Sequence, residues 1–232
     1  MNTLSPAPAE ETLFEMNGYK AQLCLHPESR ERAYRLRYEA YIHSGAVDPK
    51  EEGRLTDPYD LYSNARVHLI WYEGKPVASV RSSTWSAAYN WLAPESIHSF
   101  WNEAHRHIGL ENNILESSRY VVSPELTGRK SLYAQLLMFR ILDLCSQVDN
   151  CPHIVTSVRK RHVPFYKRML TFEQISEPIR HEWINLDIVL LATSQQKSRE
   201  MVQSKGMPPC TPKEVERYAE LIQPFNAPLH AG

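Results

Sequence analysis

The sequence has little of what marks a metal, redox or secreted protein. Only four of 232 residues are cysteine (Cys24, Cys145, Cys151 and Cys210). Cys145 and Cys151 are the nearest two, and a lone pair at that separation specifies neither a zinc site nor a redox motif. Inert or buried thiols in a reducing compartment are the expectation. The ten histidines are scattered. His105 and His107 face different directions on a helix, and no His-x-x-x-His or Cys/His group has ligand spacing, so no metal is expected. Charge of either sign is not in excess: 26 Lys and Arg against 27 Asp and Glu give a net charge of -1. That balance argues against a chain-wide nucleic-acid or membrane role. No uninterrupted apolar run approaches the length of a membrane span. Met1 to Glu11 is small, acidic and proline-containing, without an apolar signal core. These absences leave a cytoplasmic enzyme or binding protein as the expectation.

What is present is ordinary globular material, 42% hydrophobic and 23% charged, enough for one large α/β domain with appendages. Residues 1–17 read as a frayed lead-in. Tyr19 to Leu25 alternates weakly and is predicted as a strand. Pro27-Glu-Ser opens a helix with Ala33, Leu36, Ala40 and Tyr41 on one face, ended by Ser44-Gly45. Residues 46–64 are a long polar connection, a type that is usually functional or mobile. A hairpin follows, with strands Val67–Tyr72 and Pro76–Arg81 around Glu73-Gly74-Lys75. Residues 86–110 are predicted mainly helical, 114–122 a strand, and 124–131 a loop. Leu132–Val148 is the strongest helix. His153–Val158 is a strand, Val163–Leu170 a short helix, and Trp183–Leu191 the last strand. This order predicts a mixed, mostly antiparallel central sheet flanked by helices (α/β, in the α+β sense) over residues 18–193. A peripheral, proline-broken helical tail is expected over 194–232.

The charged residues at strand ends and in the long loop are the candidates for chemistry. They are Arg37, Asp57, Asp60, Arg81, Glu116 and Arg119. Glu116 and Arg119 are three apart, so in a regular strand they face opposite ways; sharing one site requires a bulge, which Ser117-Ser118 permits. On spacing alone a structural ion-pair network is the better reading. Gly128, Arg129, Lys130 and Ser131 stand before the strongest helix, where amides and cations can receive a phosphate. The stretch has neither the second glycine of a nucleotide-binding P-loop nor a dinucleotide fingerprint, and a plain turn fits it equally well. Arg159, Lys160, Arg161 and His162, with Lys167 and Arg168, are basic enough to dock an acidic carrier protein or phosphates, or simply form a solvated face. Tyr166 can act as an acid, though core packing is the commoner role of such a tyrosine. Trp85, Tyr89, Trp91, Phe100 and Trp101 suggest an apolar wall, an acyl pocket or core.

Taken together the pieces resemble a family. Phe165-Tyr-Lys-Arg-Met-Leu-Thr-Phe172 resembles the late Phe-Tyr-x-Lys-x-Gly-Phe segment of GNAT acyltransferases. Leu115 to Val148 resembles their thioester-binding strand, turn and pyrophosphate helix. Arg37 with Tyr41, Asp57-x-x-Asp60, Arg81 and Glu116-x-x-Arg119 resemble, in order and spacing, the signature of acyl-homoserine-lactone synthases. The same framework occurs in the related long-chain N-acyl amino acid synthases, to which Asp57-Pro-Tyr-Asp60-Leu-Tyr-Ser63 and His68 look more similar. The likeness covers roughly residues 19–192, the size of one domain.

The resemblance implies a GNAT-like N-acyltransferase without a tightly bound cofactor. Its co-substrate would be an acyl-phosphopantetheine. Reduction of the glycine signature to Gly128 favours an acyl carrier protein over acyl-coenzyme A as donor. Ser82-Ser83-Thr84-Trp85, in place of Leu-Leu-Pro after Arg81, favours an amino acid over S-adenosylmethionine as acceptor. By the same resemblance Glu116, through water, removes the amine proton. The amides of Val121 and Val122 hold the thioester, and Arg37, Arg81 or Arg119 hold the acceptor carboxylate. Asp57 and Asp60 order the loop, and Tyr166 protonates the thiolate. Gly128–Ser131 and Arg159, Lys160 and Arg161 receive the phosphopantetheine or carrier protein. The competing expectations are a lactone synthase, an ornithine or lipid-precursor acyltransferase, and a catalytically silent binding module.

Overall fold

The computed structural model describes residues 11–88, 92–181 and 186–223. The strands are β1 (Thr12–Met16), β2 (Tyr19–Leu23), β3 (Ala65–Tyr72), β4 (Lys75–Trp85), β5 (Ile114–Val122), β6 (His153–Arg159), β7 (Glu173–Gln174), β8 (Ile179–Arg180) and β9 (Asp187–Ser194). The helices are α1 (Pro27–His43), α2 (Glu95–Ser99), α3 (Trp101–His107), α4 (Gly128–Val148), α5 (Val163–Leu170), α6 (Gln195–Ser204) and α7 (Pro212–Ile222). The strands lie in one sheet, ordered β1-β2-β3-β4-β5-β6-β9-β7, with β8 also on β9. β5 and β6 pair in parallel, and the other pairs among the described residues are antiparallel. This is the mixed, mostly antiparallel, helix-flanked sheet expected.

Alternation along the strands decides which helix covers which face. On the front face, Ala33, Tyr34 and Leu36 of α1 pack on Val67, Leu69, Trp71 and Val121. Beside them Ile97 of α2, Phe100 between the helices and Ala104 of α3 pack on Ile114, Val155 and Leu190. On the back, α4 to α7 cover a larger core that includes Leu115, Ile154, Val158 and Leu191. α4 is buried along most of its length, from Ala134 to Ser146.

Several local expectations are corrected. Thr12–Met16 is a strand rather than frayed lead-in, because Leu13 and Phe14 are buried in the back core and β1 pairs with β2. Residues 86–110 hold two short helices separated at Phe100, not one long one. α4 starts at Gly128, whose φ of 60° turns the chain out of the preceding loop, so Gly128–Ser131 form its first turn. The strand expected over 183–191 is β9, from Asp187; Trp183, like Tyr89 and Trp91, lies outside the described residues.

The described part of the segment after 194, residues 195–223, is no peripheral appendage. Val202, Met207, Tyr218 and Ile222 enter the back core. A Thr211–Glu214 capping box starts α7, and Glu214 accepts from the buried Arg140 guanidinium at 2.9 Å. No helix among the described residues is long and apolar enough to cross a membrane.

Candidate active site

The central geometric fact is a split in the sheet. β5 and β6 pair only through Ile114–His153, Leu115–Ile154 and Glu116–Val155. Beyond Glu116, β5 stays with β4 up to Val122, while β6 stays with β9 up to Arg159. The strands therefore diverge, and a cleft of about 270 Å³ opens between them. Its wall includes Ser118, Arg119, Val121, Arg159, Tyr166 and His181. Tyr41 from α1 lines this cleft and a second cavity of about 610 Å³ behind the 45–57 loop; Arg119 lines both too.

Arg119 reaches the front face because the strand is bulged. Arg81 pairs with Ser118 and Ser79 with Val121, so β5 spends one more residue than β4. Arg119 itself takes a left-handed φ of 51°. A non-glycine residue there costs about 1–2 kcal/mol, a strain common at functional sites. Glu116, Ser118 and Arg119 thus share a face, and Tyr120 turns to the back to stack on Phe139. The bulge demanded by the three-residue spacing exists, one step later than the Ser117-Ser118 pair.

The long loop is pinned by an interlocking ion-pair network. Asp57 caps a short 3₁₀ turn, Pro58–Leu61. Its carboxylate accepts from Tyr59 N–H at 2.9 Å, and Asp60 accepts from Asp57 N–H at 3.1 Å. The Asp-x-x-Asp spacing is therefore a capping box. The same carboxylates receive the guanidiniums: Arg37 on Asp60 at 2.8 Å, Arg81 on Asp57 at 2.6 Å, and Arg119 Nε on Asp57 at 2.7 Å. A third carboxylate, Glu95 at the start of α2, accepts from Arg81 at 2.9 Å, Arg119 at 2.9 Å and His181 at 3.1 Å. Three arginines meet three carboxylates. Arg37 and Arg81 are 0% exposed and reach neither cavity, whereas Arg119 is 15% exposed. The expectation that Arg37 or Arg81 grips a substrate carboxylate is corrected: Arg81 is engaged through all three nitrogens, and Arg37, bonded to Asp60 through Nη1 alone, is enclosed and opens on neither cavity.

Two glutamates in this face are driven apart electrostatically. Burial alone would raise Glu95, but the His181 hydrogen bond and the Arg119 and Arg81 charges bring its pKa down to about 2. Burial pushes Glu116 up, and the Arg81 charge only partly offsets it. Glu116 Oε2 accepts from Ser96 N–H, while Oε1 has no hydrogen-bond partner among the described residues. Such divergence commonly separates a fixed charge from a proton acceptor. Glu116 is fully buried and stands behind the cleft wall, with Ser118 the nearest residue along its strand that lines the opening.

The remaining predicted residues divide. The Tyr166 phenol borders the cleft, and burial together with the neighbouring Tyr41 raises its pKa, keeping it protonated. Val121 contributes its side chain to the wall. Ser123 N–H donates to Val77 at 2.8 Å, so ladder alternation also turns the Val121 amide to β4 and the Val122 amide toward the opening. Arg159 and Arg161 line the cleft, while Lys160 points to solvent. Gly128–Ser131 line no part of it. They start α4 just past the end of β5, where Thr127 gives no side-chain cap and Lys130 Nζ lies 4.6 Å from the Tyr72 ring centre.

His68 is on the back face, 3.1 Å from Tyr218. Trp85 and Trp101 pack edge-to-face beside the front core, away from both cavities. Glu95 and His181 carried no sequence signal: one follows a proline at the start of α2, and the other follows the two-residue strand β8. Among the described residues no group of His, Cys, Asp or Glu is arranged to hold a metal.

A family model described as the N-acyl amino acid synthase FeeM matches residues 32–194, which spans the whole of this site. The chain belongs to the FeeM family. It is accordingly an acyltransferase of the N-acyl amino acid synthase type. The solved structure of FeeM, from uncultured soil microbes, superposes with a TM-score of 0.66 at 14% identity, covering 82% of this chain and 97% of that one. The acyl-homoserine-lactone synthase LasI gives 0.60 at 16% identity, over 80% and 95%. The coenzyme-A-dependent lactone synthase BjaI gives 0.56 at 19%, over 85% and 93%. At such identities the likeness establishes the GNAT-like fold shared with the FeeM family. No curated protein sequence matches the chain.

Proposed function

We propose that this FeeM-family enzyme moves a long-chain acyl group from an acyl carrier protein thioester to the amine of an amino acid in the cytoplasm. The observation that carries the reading is the divergence of β5 and β6 at Glu116, with Arg119, Tyr166 and Tyr41 around the opening. An exposed strand edge there offers amides to a pantetheine arm, and the Val122 amide can polarise the thioester carbonyl. The acyl chain would extend into the 610 Å³ cavity, past Val47, Pro49 and Leu55. The neutral amine attacks the carbonyl carbon. A C–N bond forms, the C–S bond breaks, and the amine proton passes through water or the Ser118 hydroxyl to Glu116. Tyr166 protonates the departing thiolate. Arg37, Arg81, Asp57 and Asp60 hold the loop and Arg119 in position.

A carrier protein, rather than coenzyme A, is favoured by the exposed cations flanking the cleft. Arg129 and Lys130 stand at the first turn of α4, and Lys160 and Lys167 on the α5 side. The Gly128–Ser131 turn would take the phosphopantetheine phosphate. Four free cysteines suit a reducing compartment.

The test is a thiol-release assay with purified protein, long-chain acyl carrier protein and a panel of amino acids. Amine-dependent release of carrier thiol, lost in Glu116→Gln, supports the reading. Full activity in both Glu116→Gln and Arg119→Ala sinks the site. A lactone product formed with S-adenosylmethionine would replace the acceptor.

A further inference from the structure

The cleft wall carries two arginines, Arg159 and Arg161, that no carboxylate among the described residues neutralises. Arg119, Arg159, Arg161, His162 and His181 all line it, and no Asp or Glu does. Arg119 and His181 belong to the network around Glu95 and Asp57. Arg159 and Arg161 do not. Among the described residues no carboxylate pairs with either, and Arg161 Nε approaches only the neighbouring His162 ring, at 3.3 Å. Their crowding is unfavourable: partial burial and the Arg161 charge lower Arg159, and burial with both arginine charges lowers His162. A cation pair held without a counter-ion is relieved by an anionic ligand, and a guanidinium fits a carboxylate in bidentate fashion.

We propose that Arg159 and Arg161 form the clamp that holds the acceptor amino acid by its free carboxylate. The proposal rests on the acyltransferase reading above and names the part of the cleft that selects the amine.

Position argues for carboxylate over donor phosphate. Tyr41, Arg119, Arg159, Arg161 and Tyr166 line one and the same cleft, so the clamp shares its wall with the reacting groups. In an α-amino acid one carbon separates amine from carboxylate, so the anion must bind beside the thioester carbonyl. A pantetheine phosphate is separated from its thioester by the whole length of the arm and belongs at the distant end. The enclosed Arg37 and Arg81 leave the clamp as the cationic pair on the wall without a carboxylate partner among the described residues.

The experiment compares Arg159→Ala, Arg161→Ala and the double variant with the wild type. It uses long-chain acyl carrier protein at saturation, the best amino acid of the panel, and that amino acid's carboxamide. Wild type should prefer the acid over the amide by tenfold or more in kcat/KM, as loss of a charge-assisted bond implies. The double variant should raise KM for the acid at least tenfold, leave the amide's value and the donor KM in place, and so abolish the preference. Arg161→Lys should retain part of it. Both arginines are on the surface side of the fold, and an unchanged Tm confirms that it is intact. Retained acid preference in the double variant overturns the clamp, as does a rise in donor KM alone. If wild type acylates no amino acid at all, the functional reading falls and the clamp with it.

Discussion

Glu95→Gln removes one of the three carboxylates that balance Arg37, Arg81 and Arg119, and leaves a buried excess charge. The side chain is 6% exposed and accepts from Arg81, Arg119 and His181. Its pKa falls from 4.5 to about 2, which at about 1.4 kcal/mol per pH unit corresponds to roughly 3 kcal/mol of stability at neutral pH. Breaking a buried pair by deleting one partner costs about 3–5 kcal/mol, so two independent routes agree. The sign is that of a depressed acid. The contribution is complete above the unfolded-state pKa near 4.5 and is lost as pH falls toward 2. Urea unfolding at pH 7 should show a lower midpoint with an unchanged slope, equivalent to about 3 kcal/mol or more. Between pH 5 and 3 the wild type should lose stability more steeply than the variant. A deficit below about 1 kcal/mol, with parallel pH profiles, would refute the assignment of Glu95 as the keystone.

Further outcomes follow from the same geometry. Glu116→Gln should lower kcat by about 10²–10⁴-fold and erase an acidic limb lying above the ordinary glutamate range. Glu116 must be ionised to accept a proton, and burial raises its pKa. Its stability at pH 7 should hold or rise, because a buried charge is removed; circular dichroism melts check this. Arg119→Gly should be more stable than Arg119→Ala by about 1–2 kcal/mol, since position 119 is left-handed; equal stabilities would deny the bulge. Tyr218→Phe should cost about 1–3 kcal/mol by removing the buried hydroxyl that both His68 and Cys145 contact, with kcat unchanged because α7 covers the other face.

Much of this site was legible for physical reasons that particular residues display. The hairpin, β5 and α4 follow from strong periodicity and turn residues. The Glu116–Arg119 spacing demanded a bulge, and the sheet supplies one. The order of Arg37, Asp57, Asp60, Arg81 and Arg119, matched through the family resemblance, singled out residues that meet in one network. Charge type could not reveal that Arg37 and Arg81 are sealed against carboxylates, because the sealing is tertiary: Asp60 closes on Arg37, and Asp57 and Glu95 close on Arg81. β1 was read as frayed lead-in, and the helical tail that holds α7 as peripheral, for a related reason. Each is held by tertiary contacts: Phe14 in the back core for the first, Tyr218 and Glu214 on α4 for the second. Local pattern cannot report stabilisation that arises from distant partners.

The most direct test of the central claim is mass spectrometry of lipid extracts from cells overproducing the protein, beside a Glu116→Gln control. The account predicts N-acylated amino acids in the first extract and their loss in the second. The same N-acyl products at undiminished levels in the control, or none in either extract, would contradict it.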